Sequence, residues 1–221
     1  MEQQSVQIPI GDARLEGELV IPGGAEGIVL FAHGSGSSRH SPRNQFVARV
    51  IRQAGLGTLL FDLLTAEEEI EDMASAALRF DIGLLAGRLV RATHWLAKSP
   101  EGGGLRMGYF GSSTGGGAAL VAAAAVGRGI GAVVSRGGRP DLAAEALPRV
   151  LSPTLLIVGE YDEQVIRLNK AAYAQLRCEK ELAIVPKATH LFEEEGALEQ
   201  VARLAADWFG RHLRSGPKGH E

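Results

Sequence analysis

The sequence predicts one α/β domain in which helices cover both faces of a parallel sheet. Short apolar runs alternate with helical patterns along the chain, the arrangement that βαβ units produce. The run at 28–32 is apolar without interruption, as a strand buried on both faces requires. The 221 residues contain no internal repeat and no linker long enough to separate two domains.

Taken in order, residues 6–9 and 15–21 read as two strands joined by a turn at Gly11-Asp12. Glycines 23, 24 and 27 lead into the strand at 28–32, followed by a helix at 44–54 and a strand at 58–61. The acidic stretch from 63 to about 80 carries Glu67, Glu68, Glu69, Glu71 and Asp72 and receives no assignment. From 82 to 97, Leu85, Leu89, Val90 and Leu96 recur at near-helical spacing. A glycine turn at 102–104 precedes a strand at 106–110 and a helix at 118–126. Strands at 132–134, 154–158 and 182–185 and helices at 165–177 and 198–213 complete about eight strands. The domain is expected over residues 1–214, with 215–221 a polar, loosely held tail.

Composition narrows the functional classes. With 45% hydrophobic and 22% charged residues the chain has an ordinary globular make-up. A net charge of −3, with both signs mixed, supplies no basic face for nucleic acid. Cys178 is the single cysteine, so neither an intrachain disulfide nor a thiolate metal cluster is expected. The first residues lack the basic and apolar regions of a signal peptide, and no apolar run reaches membrane-spanning length. A soluble, cytoplasmic protein is the expectation, with no membrane partner, metal or cofactor.

Gly111-Ser112-Ser113-Thr114-Gly115 matches G-x-S-x-G and falls between the expected strand at 106–110 and the helix at 118–126. That setting suits a sharp strand-to-helix turn that lifts a serine hydroxyl above the sheet, and the register selects Ser113 over its neighbour Ser112. The competing reading is a glycine-rich turn that merely starts a buried helix.

A serine at its free pKa is a weak nucleophile, so a base and an orienting acid should follow. The strand at 154–158 runs into Gly159-Glu160-Tyr161-Asp162, and the strand at 182–185 into Pro186-Lys187-Ala188-Thr189-His190. Both loops leave the carboxyl edge of the sheet, in the chain order Ser, Asp, His. Asp162 could instead cap the helix after it, and Glu160 is an alternative acid. Of the other histidines, His94 lies in a helical pattern, His40 in a polar loop and His220 in the tail.

An acyl-transfer site also needs two amide donors for the oxyanion. The expected pair is the N–H of Thr114 and that of Ser35, in the loop His33-Gly34-Ser35-Gly36. His33 is expected to fix that loop rather than to catalyse. Gly34-Ser35-Gly36 resembles the start of a dinucleotide fingerprint, but the third glycine is missing, position 39 being arginine, and no G-x-x-x-x-G-K-[ST] occurs, so nucleotide binding is not expected.

The segments HGSGSS, GYFGSSTGG, LLIVGEYDE and KATHLF together resemble the α/β-hydrolase superfamily, and the short length resembles its dienelactone-hydrolase-like branch. The resemblance implies an α/β-hydrolase fold of about eight mostly parallel strands, one antiparallel near the N-terminus, with catalysis at the carboxyl edge. Dienelactone hydrolases themselves use a cysteine nucleophile and carry an acidic residue in the oxyanion loop; this chain has Ser113 and Gly34. The fold and hydrolase chemistry carry over, and the substrate does not.

The segment before the strand at 154–158 is too short for a large lid domain. Arg136 and Arg139 follow a strand toward the same edge, and Arg39 lies near the oxyanion loop. Each could grip a substrate carboxylate, or Arg136 or Arg139 could anchor a loop through Asp141 or Glu145. The expected activity is hydrolysis of a small carboxylic ester, lactone, thioester or activated ester through Ser113, His190 and Asp162. Acyl transfer, perhydrolysis and organophosphate cleavage at the same serine are alternatives, as is a non-catalytic ligand-binding role.

Overall fold

The computed structural model describes residues 2–214, so the expected tail at 215–221 and His220 lie outside the described residues. Eight strands form one sheet: β1 (Gln3–Ile10), β2 (Ala13–Val20), β3 (Gly27–Ala32), β4 (Gly57–Phe61), β5 (Arg106–Ser112), β6 (Ile130–Arg136), β7 (Thr154–Gly159) and β8 (Lys180–Val185). Their spatial order is β1-β2-β4-β3-β5-β6-β7-β8. β2 runs antiparallel to both neighbours and the remaining pairs are parallel, as the resemblance implies.

Six helices join them: α1 (Pro42–Gln53), α2 (Ala66–Ser75), α3 (Ile82–Lys98), α4 (Thr114–Val126), α5 (Glu163–Gln175) and α6 (Ala197–Leu213). Every residue of β3, β4 and β7 is buried, because helices cover both sides of the sheet. α1 and α6 pack one face through Val47, Ile51, Val201 and Trp208, against Phe110, Val134 and Ile157. α3, α4 and α5 pack the other through Leu89, Leu120 and Ala172, against Leu30, Tyr109 and Leu156. Among the described residues no helix is long and apolar enough to cross a membrane.

Two local outcomes differ from the sequence reading. The unassigned acidic stretch contains α2, whose start is a reciprocal capping box. The Glu68 amide donates to Thr65 Oγ1 (3.2 Å) and the Thr65 amide to Glu68 Oε2 (2.8 Å). Such a cap contributes about 1 kcal/mol, and three glutamates in the first turn complement the helix dipole. α4 begins at Thr114 rather than 118. Its glycines depress helix propensity, but tertiary packing overrides the penalty. A Cβ at Gly116 would lie 2.5 Å from Ser135 Oγ, so only glycine lets α4 sit this close to β6.

The parallel register brings the strand ends together. Ala32 pairs with Gly111, Ser112 with Arg136, Arg136 with Ile157, and Gly159 with Val185. β4 and β5 lie on opposite sides of β3, so the loops after β3 and β5 diverge and open a crevice at the carboxyl edge.

Candidate active site

Ser113 sits between the last residue of β5 and the first of α4, with φ 50° and ψ −121°. This conformation is costly for a residue with a Cβ and persists only where the surroundings enforce it. The Ser113 amide donates to the Arg136 carbonyl (3.2 Å), and the Ser113 carbonyl accepts from Gly116 and Arg139 (3.0 Å each). Gly111 and Gly115 make the turn sterically possible: a Cβ would lie 2.4 Å from the Gly115 carbonyl oxygen at the first and 2.1 Å from the Ala32 carbonyl oxygen at the second. Ser112 is buried and points its hydroxyl elsewhere, donating to Asn44 Oδ1 (3.0 Å).

Asp162 occupies the N-cap position of α5 but makes no side-chain capping bond. Its Oδ2 lies 2.6 Å from His190 Nδ1 instead. Glu160, the alternative acid, is exposed and accepts from the Lys187 amide (2.7 Å), which ties the loop after β7 to the loop after β8. That second loop is further pinned by the Tyr161 amide on the Ala188 carbonyl (2.9 Å) and by Thr189 Oγ1 on Glu194 Oε1 (2.6 Å). Gly137, at φ 52°, backs onto the histidine, and a Cβ there would lie 3.4 Å from His190 Cε1. With Nδ1–H donated to Asp162, Nε2 remains the available base in a cavity of about 170 Å³ that His190 and Ser113 both line.

Ser35 and Thr114 line the same cavity. The Ser35 amide donates to Thr114 Oγ1 (3.0 Å), which holds the loop after β3 against the turn at Ser113. The Thr114 amide lies in the first turn of α4, where backbone donors have no intrahelical acceptor. His33 locks the loop from below. Its Nε2 accepts from the Leu63 amide and its Nδ1–H donates to the Gly34 carbonyl, each at 3.0 Å. Burial lowers its pKa, which outweighs the opposing pull of the Gly34 carbonyl and Asp62, so the ring is held neutral.

The three arginines fall in different places. Arg139 lines the cavity and binds Asp141 through two hydrogen bonds, Nε to Oδ1 (2.8 Å) and Nη2 to Oδ2 (2.7 Å). That bonding raises its pKa. Arg39 is paired with Asp62, and its amide also donates to Asp62 Oδ1 (2.7 Å). Arg136 is buried beside the ring of Phe192 (5.9 Å to the centroid), and its Nε and Nη1 have no partner among the described residues. Burial, with Arg43 nearby, pushes its pKa down to about 10.

Of the other histidines, His94 is exposed on α3, and His40 is exposed 3.4 Å from Glu18. Sequence reasoning missed the remaining cavity walls, Phe80, Gln164, Val165 and Leu168. Gln164 and Leu168 are one turn apart on the helix that starts after Asp162, and that spacing was the available signal.

The strained serine between β5 and α4, the order of the sheet and the loops that end at Asp162 and His190 define an α/β-hydrolase. No family model matches the chain. A solved structure of a dienelactone hydrolase from Anabaena variabilis is 62% identical, with a TM-score of 0.95, over 96% of this chain and 99% of that one. The chain therefore belongs to the dienelactone-hydrolase-like α/β-hydrolases. The esterase Est1E from Butyrivibrio proteoclasticus shares the fold at 15% identity and a TM-score of 0.78, over 93% of this chain and 97% of its own. A Pyrococcus furiosus esterase does so at 18% and 0.78, over 96% and 94%. Curated relatives from two Mycobacterium tuberculosis strains, provisionally named phosphoribosyl transferases, are 55% identical over 99% of this chain. The chain spans about half the length of those relatives (49%).

Proposed function

We propose that the chain hydrolyses small carboxylic esters, lactones, thioesters or activated esters through a serine acyl-enzyme. The observation that carries this reading is the 2.6 Å contact between His190 and Asp162 in a histidine that shares its cavity with the strained Ser113. Ser113 Oγ attacks the carbonyl carbon as His190 Nε2 takes its proton, and the imidazolium is stabilised by Asp162. The Thr114 amide holds the oxyanion, and the Ser35 amide joins it by exchanging its bond to Thr114 Oγ1 for one to the oxyanion. Collapse breaks the bond to the leaving oxygen or sulfur, which receives the proton from His190. Water, deprotonated by the same nitrogen, then releases the carboxylic acid and restores Ser113.

The 62% identical relative is named a dienelactone hydrolase, which supports hydrolysis of an acyl–oxygen bond. The transferase name of the mycobacterial relatives we assign to the half of their length that this chain does not span.

The test is turnover of short-chain p-nitrophenyl esters by the wild type and by Ser113→Ala. We expect kcat to fall on the order of 10⁴-fold or more in the variant. Near-normal turnover by Ser113→Ala would overturn the assignment. Product analysis with added alcohol, peroxide or phosphotriester separates hydrolysis from acyl transfer, perhydrolysis and organophosphate cleavage.

A further inference from the structure

The cavity around Ser113 is the smaller of two that meet at the oxyanion loop. A second cavity, of about 520 Å³, is lined by that loop and by α2. Ser35 is part of the wall of both. Gly34 lines the larger one, and a Cβ on Gly34 would lie only 3.1 Å from Ser113 Cβ. Gly34 thus packs against the turn at Ser113 and also lines the larger cavity.

The larger cavity has an apolar side, while Ser35, Ser37, Ser38 and Arg79 are among the polar residues of its wall. Leu63, Leu64 and Leu85 are buried in its wall, and Ile70 and Met73 of α2 stand at its rim, 66% and 74% exposed. Among its polar groups, His33 and the Asp72–Arg79 pair are committed to partners. His33 uses both ring nitrogens, and Asp72 accepts from the Leu78 amide (2.8 Å), the Arg79 amide (3.0 Å) and the Arg79 guanidinium. Glu69, exposed in the same wall, adds a carboxylate that disfavours an anionic ligand. At about 520 Å³ the cavity falls within the range of small-molecule sites, whereas the 170 Å³ around Ser113 does not.

Stereochemistry decides which end of an ester goes where. With the carbonyl oxygen on the Ser35 and Thr114 amides, the leaving oxygen must lie toward His190, which protonates it. The alcohol therefore falls in the small cavity with His190, Gln164 and Leu168. None of these three residues is in the wall of the larger cavity, which shares Ser35 with the small one.

Resting on the ester-hydrolase reading, we infer that the cavity lined by α2 is the acyl subsite. It takes an uncharged, apolar acyl chain of several carbons, and the site favours esters of small alcohols.

The test is kcat/KM for ethyl esters from acetate to octanoate, with the wild type and with Ile70→Asp/Met73→Asp. Both substitutions are at exposed positions, so folding is not at risk. Each methylene that becomes buried should raise kcat/KM by up to about fourfold. The wild-type octanoate-to-acetate ratio should therefore exceed tenfold, and the double variant should lower that ratio at least tenfold. A flat or falling wild-type series, or a ratio unchanged in the double variant, overturns the acyl assignment. Fluorophosphonate labelling of Ser113 in the same preparation separates the two failures. Labelling with a flat series defeats the subsite alone, and no labelling with no turnover defeats the hydrolase reading and the subsite with it.

Discussion

His190 Nδ1 and Asp162 Oδ2 lie 2.6 Å apart, although Asp162 stands where an aspartate would ordinarily cap the helix that follows it. The side chain is turned from the α5 amides to the imidazole. The proposed role and the capping role thus make opposite demands on one carboxylate, which faces the imidazole and makes no cap bond. Asp162→Asn should lower kcat about 10⁴-fold by favouring the wrong imidazole tautomer. The stability of α5 should barely change, since no cap is lost. Ester kinetics and a urea transition on the same preparation check both halves.

Gly137 should be intolerant of any side chain. It adopts φ 52°, and a Cβ would lie 3.3 Å from the His190 carbonyl oxygen and 3.5 Å from Nδ1. Gly137→Ala should displace the ring by a fraction of an ångström and cost about 10²-fold in kcat, with KM changed much less. Wild-type kcat in this variant would show that the ring position does not matter.

Ser112 and Asn44 give a contrasting case. Their buried hydrogen bond joins β5 to α1 behind the nucleophile turn. Ser112→Ala leaves Asn44 Oδ1 without its donor and should destabilise the fold by about 1–3 kcal/mol in a urea titration. Ser112→Ala should still react with a serine-directed probe.

His33 should make stability pH-dependent. Burial lowers its folded pKa below the ordinary 6.5. Below pH 6.5 the unfolded chain therefore binds a proton that the folded chain does not, and stability falls with pH through that window until the folded pKa is reached. Above pH 6.5 both states are neutral and the contribution is constant. Denaturation midpoints at pH 7.5 and 5.5 should differ less for His33→Gln than for the wild type. An equal pH dependence in the two proteins would remove His33 as the cause.

The strands and the loops that carry Ser113, Asp162 and His190 were legible because each is a local pattern: an apolar run, then a turn, then one chemically distinctive residue. The acidic composition of α2 masks a Thr65-x-x-Glu68 capping signal that the chain does contain. The glycines at the start of α4 read as a turn until their packing against β3 and β6 is known. The Arg139–Asp141 pair is two residues apart and stood among the sequence alternatives. What could not be read were contacts between distant segments, such as Gly137 behind His190 or the buried Arg136 beside Phe192. The cavity lined by α2 belongs to the same class, because its wall draws on β3, β4, α2 and α3 loops at once.

The central claim is that one serine of this chain is an activated nucleophile and that it is Ser113. Reaction of the folded protein with a fluorophosphonate, followed by peptide mass mapping, tests it most directly. A single adduct on Ser113 is expected, lost in Ser113→Ala and strongly slowed in His190→Ala. An adduct on Ser112 or Ser35, or none on folded protein, would contradict it.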